Sequence, residues 1–235
     1  MIEYLTQNFN FITYGFEIIA LIIGALHFRK YKNSTTKYFV YFLLYIVFVE
    51  LVGACFFYTD TFFVINFLRS LGINSTVWYN VFWMIGSVLF IIYYFYSLIS
   101  LTLFKVFTKI TALIFLVAMI VHVYIHPNLF LTSHPSFYQL SGALATFISI
   151  ALYFIQLLNS DAIIDMFRTF GFYASIGLFV WWLIITPVLF FDIYNSTSDW
   201  DYANLKRLIF LFANIFMYTC FSIGLFISKP ELKND

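Results

Sequence analysis

Seven runs of about 20 apolar residues follow one another along this chain, at roughly 10–28, 38–58, 78–100, 108–126, 137–158, 169–193 and 206–228. The hydrocarbon core of a bilayer is about 30 Å thick and a helix rises about 1.5 Å per residue, so each run has the length of a membrane-crossing helix. The connections between them are short, the longest being residues 59–77, which leaves no room for an extramembrane domain. The expected fold class is all-α: a polytopic membrane protein, with residues 1–235 forming a single seven-transmembrane-helix bundle.

Hydrophobic residues make up 63% of the 235 positions and charged residues 10%, against about a quarter charged in soluble domains. A soluble domain of this size could not bury that much apolar surface. A net charge of +1 provides no basic excess to neutralise phosphates, so nucleic acid is not an expected partner. The 33 Phe and 18 Tyr, with many Ile and Asn, suit an AT-rich genome and favour a bacterial source.

Lys and Arg in short connections resist translocation and set orientation. Arg29, Lys30, Lys32, Lys37, Lys105, Lys109, Arg168, Lys229 and Lys233 fall on one side, nine of the twelve basic residues, and Arg69, Lys206 and Arg207 on the other. The amino terminus is thus expected outside and the carboxyl terminus in the cytoplasm, with the bacterial inner membrane as the location. Residues 1–10 contain Glu3 and neither Lys nor Arg, so the first helix is expected to stay rather than leave as a signal peptide. Cys55 and Cys220 would lie about 16 Å apart in depth, too far for a disulfide.

Ser141, Ala145 and Ser149 recur every fourth residue, as do Ala20 and Gly24, marking faces where another backbone can approach closely. Pro187 is expected to kink the sixth span. Residues 62–71 mix aromatic and aliphatic residues with Asn66, Arg69 and Ser70, a pattern that suits either a short helix in the outer interface or a spacer dipping into headgroups. In QLLNSDAIID, residues 156–165, Asn159, Ser160 and Asp161 are natural helix caps.

Glu17 and Glu50 are the most informative positions. A carboxylate within a span costs several kcal/mol and tends to face the bundle interior with a partner. Both lie about 10–12 Å from the outer ends of adjacent antiparallel spans, at 1.5 Å per residue. If they meet, the pair offers a shared proton, a cation site or a carboxylic acid that donates a hydrogen bond; otherwise each is bonded separately to a Tyr, Ser or Asn. With His122, Gln139, Asp192 and Asn214 they fall in the outer half of the bundle, and together these residues suggest a polar, outward-facing pocket that binds a ligand, a proton or a cation. Trp181, Trp182, Tyr14 and Tyr218 are candidates for its walls.

His122 and His126, four residues apart on one helical face, have workable spacing for two zinc ligands. Val123 occupies the place where hydrolytic zinc helices carry a glutamate. Without such a site, no cofactor is expected. Arg29, Lys30, Lys32 and Lys37 would attract anionic lipid headgroups, each contributing about 1 kcal/mol near the surface, although their count is also what orientation demands.

Seven spans with an external amino terminus invite comparison with rhodopsins, but the seventh span holds no lysine for retinal. Seven-helix zinc hydrolases of the ceramidase type need several histidines, an aspartate and a serine from different helices, and only the His122 and His126 pair is available. Through the glutamate of the second span, WYNVFW at 78–83 and YFIQLLNSD at 153–161, the chain resembles small uncharacterised seven-helix inner-membrane proteins of bacteria. Some of these resemble the membrane halves of signalling systems, which implies another membrane or cytoplasmic signalling protein as a partner. Three functions follow as expectations: a membrane-embedded sensor or partner subunit binding a small or lipidic ligand, a small proton- or cation-coupled transporter, and a metal-dependent lipid-modifying enzyme. The first, which is not an enzyme, leads.

Overall fold

A computed structural model describes residues 2–58, 62–191 and 200–230. Among them nearly all residues are helical and no strand forms, and seven helices are long and apolar enough to cross a membrane. This is an integral membrane protein of the all-α class. We number the spans α1 (Phe9–Leu26), α2 (Thr36–Tyr58), α3 (Ser75–Leu98), α4 (Thr102–Ile125), α5 (Ser136–Leu158), α6 (Phe170–Phe191) and α7 (Trp200–Ile227). The fourth begins six residues earlier than the apolar pattern predicts. Lys105 and Lys109, which mark a polar boundary in sequence, belong to the first turns of α4 and lay their ammonium groups over the Tyr96 ring, 5.9 and 5.2 Å from its centroid.

Helices α1, α2, α3, α5, α6 and α7 pack in that order into a closed ring, α7 returning to α1, while α4 stands outside against α3 and α5. Its buried residues Thr108, Phe115 and Met119 fall on one face, and Leu113, Ile114, Val117 and Ile120 are exposed, as suits a helix with lipid around most of its girth. Helix α1 is organised in the opposite sense to a soluble amphipathic helix. Thr13, Glu17, Ala20 and Gly24, spaced four, three and four apart, form its buried stripe, and Ile18, Ile19, Ile22 and Leu26 point outward. The small residues Ala20 and Gly24 admit close neighbours: a Cβ on Gly24 would meet Val40 of α2 at 3.3 Å and Leu225 of α7 at 3.4 Å. In α5, Ala145 and Ser149 are buried and Ser141 is partly so.

The ring is filled by aromatic side chains. Phe39 of α2, fully buried, packs on Tyr94 of α3, Phe170 of α6 and Phe221 of α7 with centroids 4.8–5.0 Å apart, within the range of favourable edge-to-face contacts. The most extensive helix contact is between α6 and α7, where glycines let the backbones close. A Cβ on Gly224 would lie 2.6 Å from Cβ of Tyr173 and 3.1 Å from the Phe170 ring. The Tyr173 atom sits next to its own backbone and cannot swing away, so Gly224→Ala is expected to destabilise the protein by about 1–3 kcal/mol through overpacking, despite alanine's better helix propensity. Unfolding in mixed micelles measures this, and an unchanged midpoint would show that α6 and α7 are less tightly apposed.

At the face where the chain ends, the fold is tied by backbone acceptors. Buried Tyr31 donates to Leu225 O at 2.8 Å and Ser228 O at 2.9 Å, and Lys229 N donates to Arg168 O at 2.7 Å. Lys30 reaches Phe226 O at 3.3 Å, meeting the carbonyl end of α7. Arg29 and Lys32 beside it are exposed and Lys37 is partly so. Asn159 stands at the C-cap of α5, as expected, and Gln156 Oε1 accepts from Ser100 N at 2.7 Å and Leu101 N at 3.0 Å in the connection before α4. Ser160 makes no side-chain cap bond, because its hydroxyl turns back to Leu157 O at 3.0 Å. Of the two possibilities for residues 62–71, the short helix is found, as Phe63–Ser70, with Ile65 buried and Arg69 donating to Phe56 O at 3.2 Å. Cys55 and Cys220 form no disulfide.

Candidate functional site

Near the opposite face, where the chain begins, a cavity of about 510 Å³ opens between five helices. Its rim includes Asn10 and Phe57, both exposed, and its depth holds Glu17, which is 4% exposed. Glu17 lies eight residues from the start of α1 and Glu50 eight from the end of α2, about 12 Å along each helix at 1.5 Å per residue. Because α1 and α2 are antiparallel neighbours, equal offsets bring both residues to one depth, and both line this cavity.

Each glutamate is held by a tyrosine from the neighbouring helix of the ring. Tyr218 of α7 donates to Glu17 Oε1 at 2.6 Å, and Tyr79 of α3 donates to Glu50 Oε2 at 3.0 Å. Tyr14 and Trp83 also hydrogen-bond the Glu50 carboxyl group. Both glutamates thus line one cavity, and each has a tyrosine partner of its own. Leaving one of these buried partners without its hydrogen bond costs about 1–3 kcal/mol.

The local backbone explains why Tyr79 and Trp83 reach the cavity together. Residues Tyr79–Gly86 of α3 form a π-helix, whose wider turn rotates the flanking side chains relative to an α-helix and is frequent at functional sites. Around it every turn is tied to a neighbour. Trp78 donates to Val49 O at 2.9 Å, and Tyr45 donates to Phe82 O at 2.6 Å. Asn80, fully buried, donates to Phe130 O and Ser133 O, each at 2.8 Å, and its Oδ1 lies 2.8 Å from His134 Nδ1. Two glycines make room for this. A Cβ on Gly53 would lie 2.2 Å from the Tyr79 hydroxyl, and one on Gly86 2.1 Å from that of Tyr45.

Of the residues singled out in sequence, the structure brings together Glu17, Glu50, Asn214, Tyr14, Trp181 and Tyr218 around this cavity; Asn214 Oδ1 accepts from the Trp181 indole at 2.6 Å. Gln139 instead lines a narrow cavity of about 50 Å³ in the centre of the ring, with Trp182. Trp83, Trp181, Met217 and Tyr218 border both cavities and form the floor of the first. His122 is not in the pocket. It sits on the outlying helix α4, stacked on Phe137 at 4.7 Å with Nδ1 3.2 Å from the Tyr138 hydroxyl, and the His126 ring is 5.1 Å away. Among the described residues no three His, Cys, Asp or Glu side chains gather to hold a metal, so the histidine pair lacks the glutamate that a zinc centre was expected to borrow. Asp192 lies outside the described residues.

Tyr79, Asn80 and Trp83 were quoted in sequence only within WYNVFW and given no role. In a chain with 24% aromatic residues, a further tyrosine carries no signal until a carboxylate is found beside it.

The fold and the site together define a seven-helix integral membrane protein with a polar, glutamate-bearing cavity buried at one end. The chain matches no family model, no curated protein and no solved structure.

Proposed function

We propose that this protein is a membrane-embedded sensor or partner subunit of the bacterial inner membrane, whose pocket faces outward and binds a small ligand. One observation supports this above the others: the cavity that contains both intramembrane glutamates is walled by five different helices. A ligand seated there touches α1, α2, α3, α6 and α7 at once, and binding that favours one packing of these helices over another shifts the bundle between states. The π-helix gives α3 a segment able to change register, and its ties to the connection before α5 carry that change around the ring. The basic residues gathered at the other face support a cytoplasmic location for that face, where anionic lipid headgroups meet Arg29 and Lys32 and a signalling partner would dock.

The test uses a cysteine in place of Ala54, a cavity residue, in protein whose Cys55 and Cys220 are replaced by alanine. A charged, membrane-impermeant thiol reagent added outside intact cells is expected to label Ala54→Cys. Absence of labelling in folded protein would overturn the outward pocket. Labelling from the inside as well would mark alternating access and replace the sensor by a transporter.

A further inference from the structure

We infer that the ligand of this pocket is an organic ammonium ion, its charge held between Glu17 and Glu50 and its carbon body against the aromatic wall. This rests on the pocket being open to small molecules, and it adds the chemical class of what enters.

Two features of the cavity point to it. First, it contains two carboxyl groups and, among the lining residues, no Lys, Arg or His. Carboxylates away from water require a positive partner or a proton, and here the protein provides hydrogen-bond donors but no cation. Second, aromatic residues are 24% of the chain but more than half of this lining. Their ring faces attract cations, and cages of such rings are the usual receptors for alkylated ammonium groups.

Size and donor set separate an organic cation from a metal ion. A volume of about 510 Å³ falls in the range of roughly 300–1,000 Å³ typical of small-molecule sites. Calcium takes six to eight convergent oxygens, whereas Tyr218 and Tyr79 already occupy an oxygen of each glutamate and the rest of the wall is largely carbon. An ammonium group needs only the remaining lone pairs and the ring faces.

The experiment titrates the intact protein in nanodiscs with choline, butane-1,4-diamine, calcium chloride and 3,3-dimethylbutan-1-ol, the uncharged isostere of choline, following the emission of Trp83 and Trp181 in the cavity wall. The ammonium probes are expected to bind at least about tenfold more tightly than the neutral isostere, and the Glu17→Gln, Glu50→Gln double variant to lose that preference. As a check that does not require the double variant to fold, choline should protect Ala54→Cys from the thiol reagent in protein with both glutamates present. Equal binding of the neutral isostere, or protection by calcium but not by choline, would overturn the ammonium assignment and leave the pocket standing. Failure of the reagent to reach Ala54→Cys at all would remove the pocket itself.

Discussion

Replacing Asn80 by leucine is expected to destabilise the protein by about 2–3 kcal/mol, more than the loss of an exposed capping residue. The side chain is fully buried and its amide serves two carbonyls, Phe130 O and Ser133 O, while its oxygen faces His134. Leucine fills a similar volume but leaves both carbonyls without their donor, and each unsatisfied buried acceptor costs about 1–3 kcal/mol. The lower half of the summed range applies because Phe130 and Ser133 are only partly buried and His134 is exposed, so water recovers part of the loss. Asn74→Ala is the comparison. Asn74 caps α3 by accepting from Val77 N at 2.8 Å and donates to Leu131 O at 3.0 Å, but it is exposed, so water replaces what is lost and the substitution costs about 1 kcal/mol. If denaturant unfolding finds the two variants equally stable, Asn80 does not strap α3 to the connection between α4 and α5.

The second large effect is a reversal of sign at Gly53. In the otherwise unchanged protein, Gly53→Ala places a methyl group 2.2 Å from the Tyr79 hydroxyl and 2.5 Å from the ring carbon bearing it. The rigid ring must then swing off Glu50 and leave a buried carboxyl oxygen without its donor, a loss of about 2 kcal/mol. In a Tyr79→Ala background the obstruction is gone, and alanine's helix propensity makes the same substitution stabilising by up to about 1 kcal/mol. The double-mutant cycle should thus show a coupling of about 2–3 kcal/mol. A coupling below about 0.5 kcal/mol, the ordinary error of additivity, would mean that Tyr79 is not held over Gly53 and that Glu50 keeps its place by other contacts.

Depth along the membrane was legible in the sequence. A helix advances by a constant rise and successive spans alternate in direction, so counting residues inward placed Glu17 and Glu50 at one level before any contact was known. The buried stripe of α1 was half legible, through Ala20 and Gly24, because small residues mark close approach whatever surrounds them. The boundaries erred where charge misled. Lys105 falls before the expected start of the fourth span at residue 108, although long side chains lie along apolar surface and let the helix begin ahead of it.

What the sequence by itself determined is the class of solvent, the number of spans and the level of each polar residue, since these depend on composition and on distance along one helix. Only the tertiary structure decided which helices are neighbours and how each is rotated: that α4 stands outside the ring and takes His122 with it, that Gln139 faces a second cavity, and that Tyr79 and Tyr218 are the partners of the two glutamates. The physical reason is the solvent. In water one apolar face announces the core, but in lipid the outside of a helix is as apolar as its packed side. Rotation and neighbourhood are then set by the fit of side chains such as Phe39 and Gly224 to one another, which no periodicity along the chain records.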